Sequence, residues 1–147
     1  MLESYAARGV FRSFSQTSGA DEVLEYRFRW LWSLPFHITF DARRGLLSFK
    51  RLLPQVPAGS DIDTGLRAFL AGFQSPERSE HRRIDPARVA VQYSNRRGAV
   101  SLAFRVAGNH YEYGVRKAMQ VVNEVFLGFL NFEHPQYLAE HFRIPED

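Results

Sequence analysis

The chain has no cysteine. That excludes disulfides, thiolate zinc sites and cysteine nucleophiles, and it fits a reducing compartment such as the cytoplasm. No run of 18 apolar residues occurs, so no segment reads as a membrane span. Residues 1–20 lack a basic stretch followed by an apolar one, which argues against a secretory signal. Lysine is scarce: of the 19 basic residues only Lys50 and Lys117 are lysine. Arginine bias of this kind accompanies GC-rich coding and points to a bacterial source. Against 16 acidic residues the net charge is +3, spread over both halves and too small for a strong steering field.

Catalytic signatures are missing too. His37, His81, His110, His134 and His141 do not fall into an HExxH or other tight ligand spacing. There is no GxSxG elbow, no GxGxxG loop and no Walker-type loop. Asp61 and Asp63 lie where the first turn of a helix favours negative charge, which is a structural use. An acid–base site would need groups such as His37, Asp41, His110 and Glu112 to converge on one point. The expectation is no catalytic residue, no cofactor and no metal.

What the chain does have is aromatic mass and clear periodicity. Its 147 residues suit one domain (1–147), and 13 Phe, 6 Tyr and 2 Trp supply a core. Leu24, Tyr26, Phe28, Trp30 and Trp32 alternate with mostly polar neighbours, the period of a half-buried strand. Phe36, Ile38 and Phe40 make a second strand, and Leu46–Leu53 a third that closes at Pro54. Ser60, with Asp63 three residues on, opens a helix whose apolar stripe is Ile62, Leu66, Phe69, Leu70 and Phe73. Residues 75–87 read as a charged loop. Val89, Val91 and Tyr93, then Val100, Leu102, Phe104 and Val106, make a hairpin with a four-residue turn, Asn95–Gly98. Asn109 is placed to cap a long helix, with Glu112 reaching back and Tyr111, Val115, Ala118, Met119, Val122, Phe126 and Phe129 on its apolar face. Pro135 opens a short last helix. Residues 1–21 read as an N-terminal helix or docked arm, and 143–147 as a tail. The fold class is α+β: a five-stranded antiparallel sheet with helices on one face, in the order (α)-β-β-β-α-β-β-α.

That order resembles the chaperone-like fold of type III secretion chaperones and of the YbjN family. The parts that carry the resemblance are Gly45–Pro57, the Ser60–Gln74 helix, the Arg88–Ala107 hairpin and the His110–Leu130 helix. The resemblance rests on element order and hydrophobic pattern and spans about three quarters of the chain. It implies a non-catalytic protein that binds other proteins, often as a homodimer. It carries over no functional residue, and the basic balance departs from the acidic character of secretion chaperones.

Two binding surfaces follow from the residues themselves. The outward face of the hairpin carries small side chains: Ala90, Gln92 and Ser94 on one strand, Ser101 and Ala103 on the other, with Arg105 at the rim. A flat face of that kind suits a protein or peptide partner or a twin subunit. The alternative is a nucleic-acid binder using Arg82, Arg83, Arg96 and Arg97 on phosphates. The leading expectation is a protein- or peptide-binding module with no membrane association.

Overall fold

The computed structural model describes residues 12–18, 23–31, 34–75, 77–78, 83–108 and 110–142, the first of these segments by its backbone alone. Six strands form one open antiparallel sheet: β1 (Arg12–Ser18), β2 (Val23–Trp30), β3 (Leu34–Asp41), β4 (Leu46–Leu53), β5 (Val89–Arg96) and β6 (Ala99–Val106). Their spatial order is β1-β2-β3-β4-β6-β5. Among the described residues three α-helices of eight residues or more complete the fold: α1 (Asp61–Ala71), α2 (Tyr111–Glu124) and α3 (Pro135–Phe142), with a single helical turn, Asn131–Glu133, just before the last. The α+β class and the five expected strands are as anticipated. The addition is β1, which docks as an edge strand against β2, so Arg12–Ser18 is an arm rather than a helix. Residues 1–11, where a leading helix would otherwise fall, and the 143–147 tail lie outside the described residues.

Strand register explains why one face is dry. Tyr26, Ile38, Phe49, Leu102 and Tyr93 stand side by side across five strands. Their neighbours Phe28, Phe36, Leu47 and Phe104 share that face and are buried. Because side chains alternate, the next row (Glu25, Thr39, Ser48, Ala103 and Gln92) points the other way. The helices cover only the apolar face. Phe126 meets Phe36 edge-on with centroids 5.8 Å apart, and Phe69 of α1 packs on Phe129 at 5.4 Å. Gly114 lets α2 ride close to the sheet: a Cβ there would stand 2.5 Å from a methyl of Val106.

Several local details depart from the periodic reading. α2 starts at Tyr111, so Glu112 is its second residue and lacks the spacing for a capping box; no side chain caps the helix at His110. Asn109 lies outside the described residues. Tyr111 is 41% exposed and touches Phe40 at the rim instead of entering the core. The helix continues past Glu124 through a π-helical stretch, Val125–Leu130, which rotates the stripe so that Val125, Phe126, Phe129 and Leu130 are all buried. The hairpin turn is two residues, not four. Arg97 and Gly98 both have positive φ (53° and 88°), as a type I′ turn requires, and the strands run on through Arg96 and Ala99.

Candidate functional site

The candidate site lies at the β4, β6 and β5 end of the face without helices. All six small-face residues expected to gather there do so. Ala90, Gln92 and Ser94 pair in register with Arg105, Ala103 and Ser101. Ala90, Gln92, Ser94 and Arg105 are exposed, and Ser101 and Ala103 are half-buried. Gln92, Ser94, Ser101 and Ala103 line a shallow, open groove of about 970 Å³. Arg96 and Arg97, two of the four expected phosphate contacts, line the same groove. Arg83 is elsewhere, in a separate hollow of about 360 Å³ with Gln74, Asp85, Arg88 and Tyr113. Arg82 lies outside the described residues.

Sequence reading missed the contribution of β4. Ser48, Lys50 and Arg51 form the third wall. Lys50 follows from alternation, because its neighbour Phe49 is core. Arg51 does not. Pairing of β4 with β6 shifts between Phe49 and Leu53, and Arg51 sits in that irregularity with φ 53°. Its amide is held by the Ser101 hydroxyl, which accepts at 2.9 Å. A bulge of this kind turns a residue out of the strand's rhythm, and no local residue type announces it.

The electrostatics of the groove are one-sided. Among the described residues its lining includes Lys50, Arg51, Arg96 and Arg97 and no carboxylate. Elsewhere arginines find acids: Arg44 with Asp41 at 3.7 Å, Arg67 with Asp63 at 3.5 Å, Arg78 with Glu124 and Arg88 with Asp85, both at 3.4 Å. Among the described residues no such partner stands beside the four groove cations. At the far end of the face His37 Nε2 lies 3.7 Å from Glu25 with no hydrogen bond.

β5 ends the sheet. Ala107 N–H donates to Arg88 C=O at 2.9 Å, and Val106 N–H turns the other way, to Gly45 C=O at 2.7 Å. Antiparallel pairing alternates, so Ala90, Gln92, Ser94 and Arg96 spend their backbone groups on β6. Val91, Tyr93 and Asn95 therefore direct theirs to the outer edge beside the groove, where no described residue pairs with them. Val89 is already satisfied, by Asp85 C=O at 3.1 Å.

Beneath the groove lies a hydrogen-bonded base. The buried carboxylate of Asp63, in the first turn of α1, accepts from the Tyr93 hydroxyl at 2.5 Å, Gly59 N–H at 2.9 Å and Asn95 Nδ2 at 3.2 Å. Asn95 also donates to Val56 C=O and accepts from Gly98 N–H, which locks the turn. These bonds, the Tyr93 hydroxyl first, hold the Asp63 carboxyl down at about 2. Burial, then the neighbouring carboxylate, pushes the Tyr93 phenol above its usual range. Tyr93 is thus spoken for: its hydroxyl binds Asp63, and Arg67 covers its ring at 4.4 Å. It is not a free surface for stacking a base. Trp30, expected on the inward face, packs against Phe36 at 5.5 Å, while Trp32 lies outside the described residues.

Among the described residues no helix is long and apolar enough to cross a membrane, and no cluster of three metal-ligating side chains occurs. No family model, curated protein or solved structure matches the chain.

Proposed function

We propose that this protein binds an extended acidic segment of another protein, laid along β5 with its side chains over the groove. The supporting observation is a groove walled by four cations with no carboxylate among the described residues, next to an edge strand with three pairs of backbone groups that no described residue engages. Strand addition draws affinity from main-chain hydrogen bonds and specificity from alternate side chains, and this edge offers both. An acidic residue at every second position of the segment would fall on the cationic side. The resemblance to chaperone-like proteins agrees with a partner-binding role in the cytoplasm and stays part of the proposal.

A second copy is a poorer occupant of the face. Face-to-face pairing would set Lys50, Arg51, Arg96, Arg97 and Arg105 against themselves, and like charges in contact are costly. Nucleic acid is the second reading, favoured by the same cations. Against it stands the engaged Tyr93 ring, since single strands gain much of their affinity from stacking on aromatic side chains.

The test is amide exchange with and without a peptide that alternates glutamate and threonine. Binding should slow exchange at Val91, Tyr93 and Asn95, and the double change Arg96→Glu with Arg97→Glu should abolish it. Saturable binding without protection of those three amides would replace edge pairing with some other mode. Tighter binding of single-stranded DNA or RNA than of the peptide at the same salt would favour the second reading.

A further inference from the structure

The groove holds two non-glycine residues with left-handed backbone, and both are arginines. Arg51 has φ 53° in the β4 irregularity, and Arg97 has φ 53° in the hairpin turn. For an L-residue that region is unfavourable, and glycine, asparagine or aspartate is the usual occupant. Arginine is a poor choice at both positions for folding. Leu31 and Gln55 share that conformation outside the groove lining, so it is the convergence of two such arginines from different strands on one groove that points to a use of their side chains.

The charge count narrows that use. Lys50, Arg51, Arg96 and Arg97 line one groove, with no carboxylate beside them among the described residues. A single glutamate would balance one of them. A phosphoryl group carries close to two negative charges and three acceptor oxygens, and guanidinium forks match it bidentately. We infer that the hairpin end of the groove is a subsite for a phosphorylated serine or threonine in the bound segment, with Arg51 and Arg97 as its principal ligands. Lys50 and Arg96 add charge from the flanking strand positions. The inference rests on the peptide-binding reading above and assigns to that segment a modification it would have to carry.

The experiment uses the full chain and three versions of one alternating glutamate–threonine peptide. Its central residue is serine, phosphoserine or glutamate, and affinity is read by fluorescence anisotropy. The phosphoserine peptide should bind at least about tenfold more tightly than the serine peptide, the effect of one charge-assisted bidentate contact. Its advantage should shrink as pH falls through about 6, where the phosphoryl group gains a proton, while the glutamate peptide stays level over that range. Arg51→Gly and Arg97→Gly should each raise the unfolding midpoint and erase most of the phosphoserine advantage. Arg97→Lys should keep the charge yet lose part of the advantage, because the fork is gone.

Equal affinity for all three peptides overturns the phosphoryl subsite and leaves peptide binding standing. Binding of none of them overturns both. If inorganic phosphate alone competes at the concentration of the phosphopeptide, the subsite is for free phosphate and the assignment to a protein segment falls. A 5′-phosphorylated oligonucleotide that binds more tightly than the phosphopeptide overturns it in favour of nucleic acid.

Discussion

Changing Asp63 to asparagine tests the clamp that holds α1 to the hairpin. Asp63 is 4% exposed and serves four groups: the Tyr93 hydroxyl, Gly59 N–H, Asn95 Nδ2 and the Arg67 guanidinium. An amide of the same shape keeps one acceptor and turns a donor toward groups that are themselves donors. Linkage sets a scale for the lost charge. The carboxyl moves from 3.8 to about 2 on folding, and at about 1.4 kcal/mol per pH unit that amounts to about 2 kcal/mol at neutral pH. A buried donor left unpaired, Asn95 Nδ2 or the Tyr93 hydroxyl, adds about 1–3 kcal/mol. Asp63→Asn should therefore lose about 3–5 kcal/mol of stability at pH 7. The sign is settled by the depressed value. The ionised carboxylate contributes fully above the unfolded value near 3.8, and its contribution fades as pH falls toward 2. Urea unfolding followed by tryptophan fluorescence should show the parent losing about 2 kcal/mol more than the variant between pH 5 and pH 2. A variant within about 1 kcal/mol of the parent at pH 7 would refute the clamp, since that is the level of an ordinary neutral hydrogen bond. Parallel pH profiles would refute it as well.

Other outcomes follow from packing. Gly114→Ala should cost about 1–3 kcal/mol by overpacking, since the new methyl would meet Val106 Cγ2 at 2.5 Å. Adding Val106→Ala should recover part of that loss in the same denaturation assay, as expected for neighbours that couple. Tyr137→Phe should lose about 1 kcal/mol, because the Tyr137 hydroxyl donates to Pro54 C=O at 2.6 Å and is otherwise buried. Phe132→Ser should change stability by no more than about 0.5 kcal/mol, because Phe132 is 80% exposed.

The parts legible in the linear chain were those governed by local rhythm. Alternation in Val89–Tyr93 and Val100–Val106 placed the small side chains of Ala90, Gln92, Ser94, Ser101 and Ala103 on one face, and register kept them together. Half of the Ser60–Asp63 box was also readable: the Ser60 hydroxyl accepts from Asp63 N–H at 3.3 Å, while the Asp63 carboxylate takes Gly59 N–H and Ser60 N–H donates to Pro57 C=O instead. Capping and turn chemistry near Arg97 and Tyr111 were harder to place, because a shift of one residue changes which group can reach which. Ile84, inside a segment that reads as a charged loop, is buried, and its amide donates to Phe73 C=O at 2.9 Å. No neighbouring residue in the chain signals that contact.

Two-residue and 3.6-residue periods were enough for the α+β class, for the dry and wet sides of the sheet and for the inward stripe of α1. Those follow from burial of apolar surface at the spacing each backbone imposes. The cationic groove was out of reach of such rules. Lys50 and Arg51 lie more than 40 residues from Arg96 and Arg97, and only the β4–β6 pairing brings them together. Charge repulsion between them is a cost that local preference would avoid, so no sequence pattern foretells it. The same holds for the Asp63 clamp, whose partners Tyr93 and Asn95 arrive from across the core once the helix has docked.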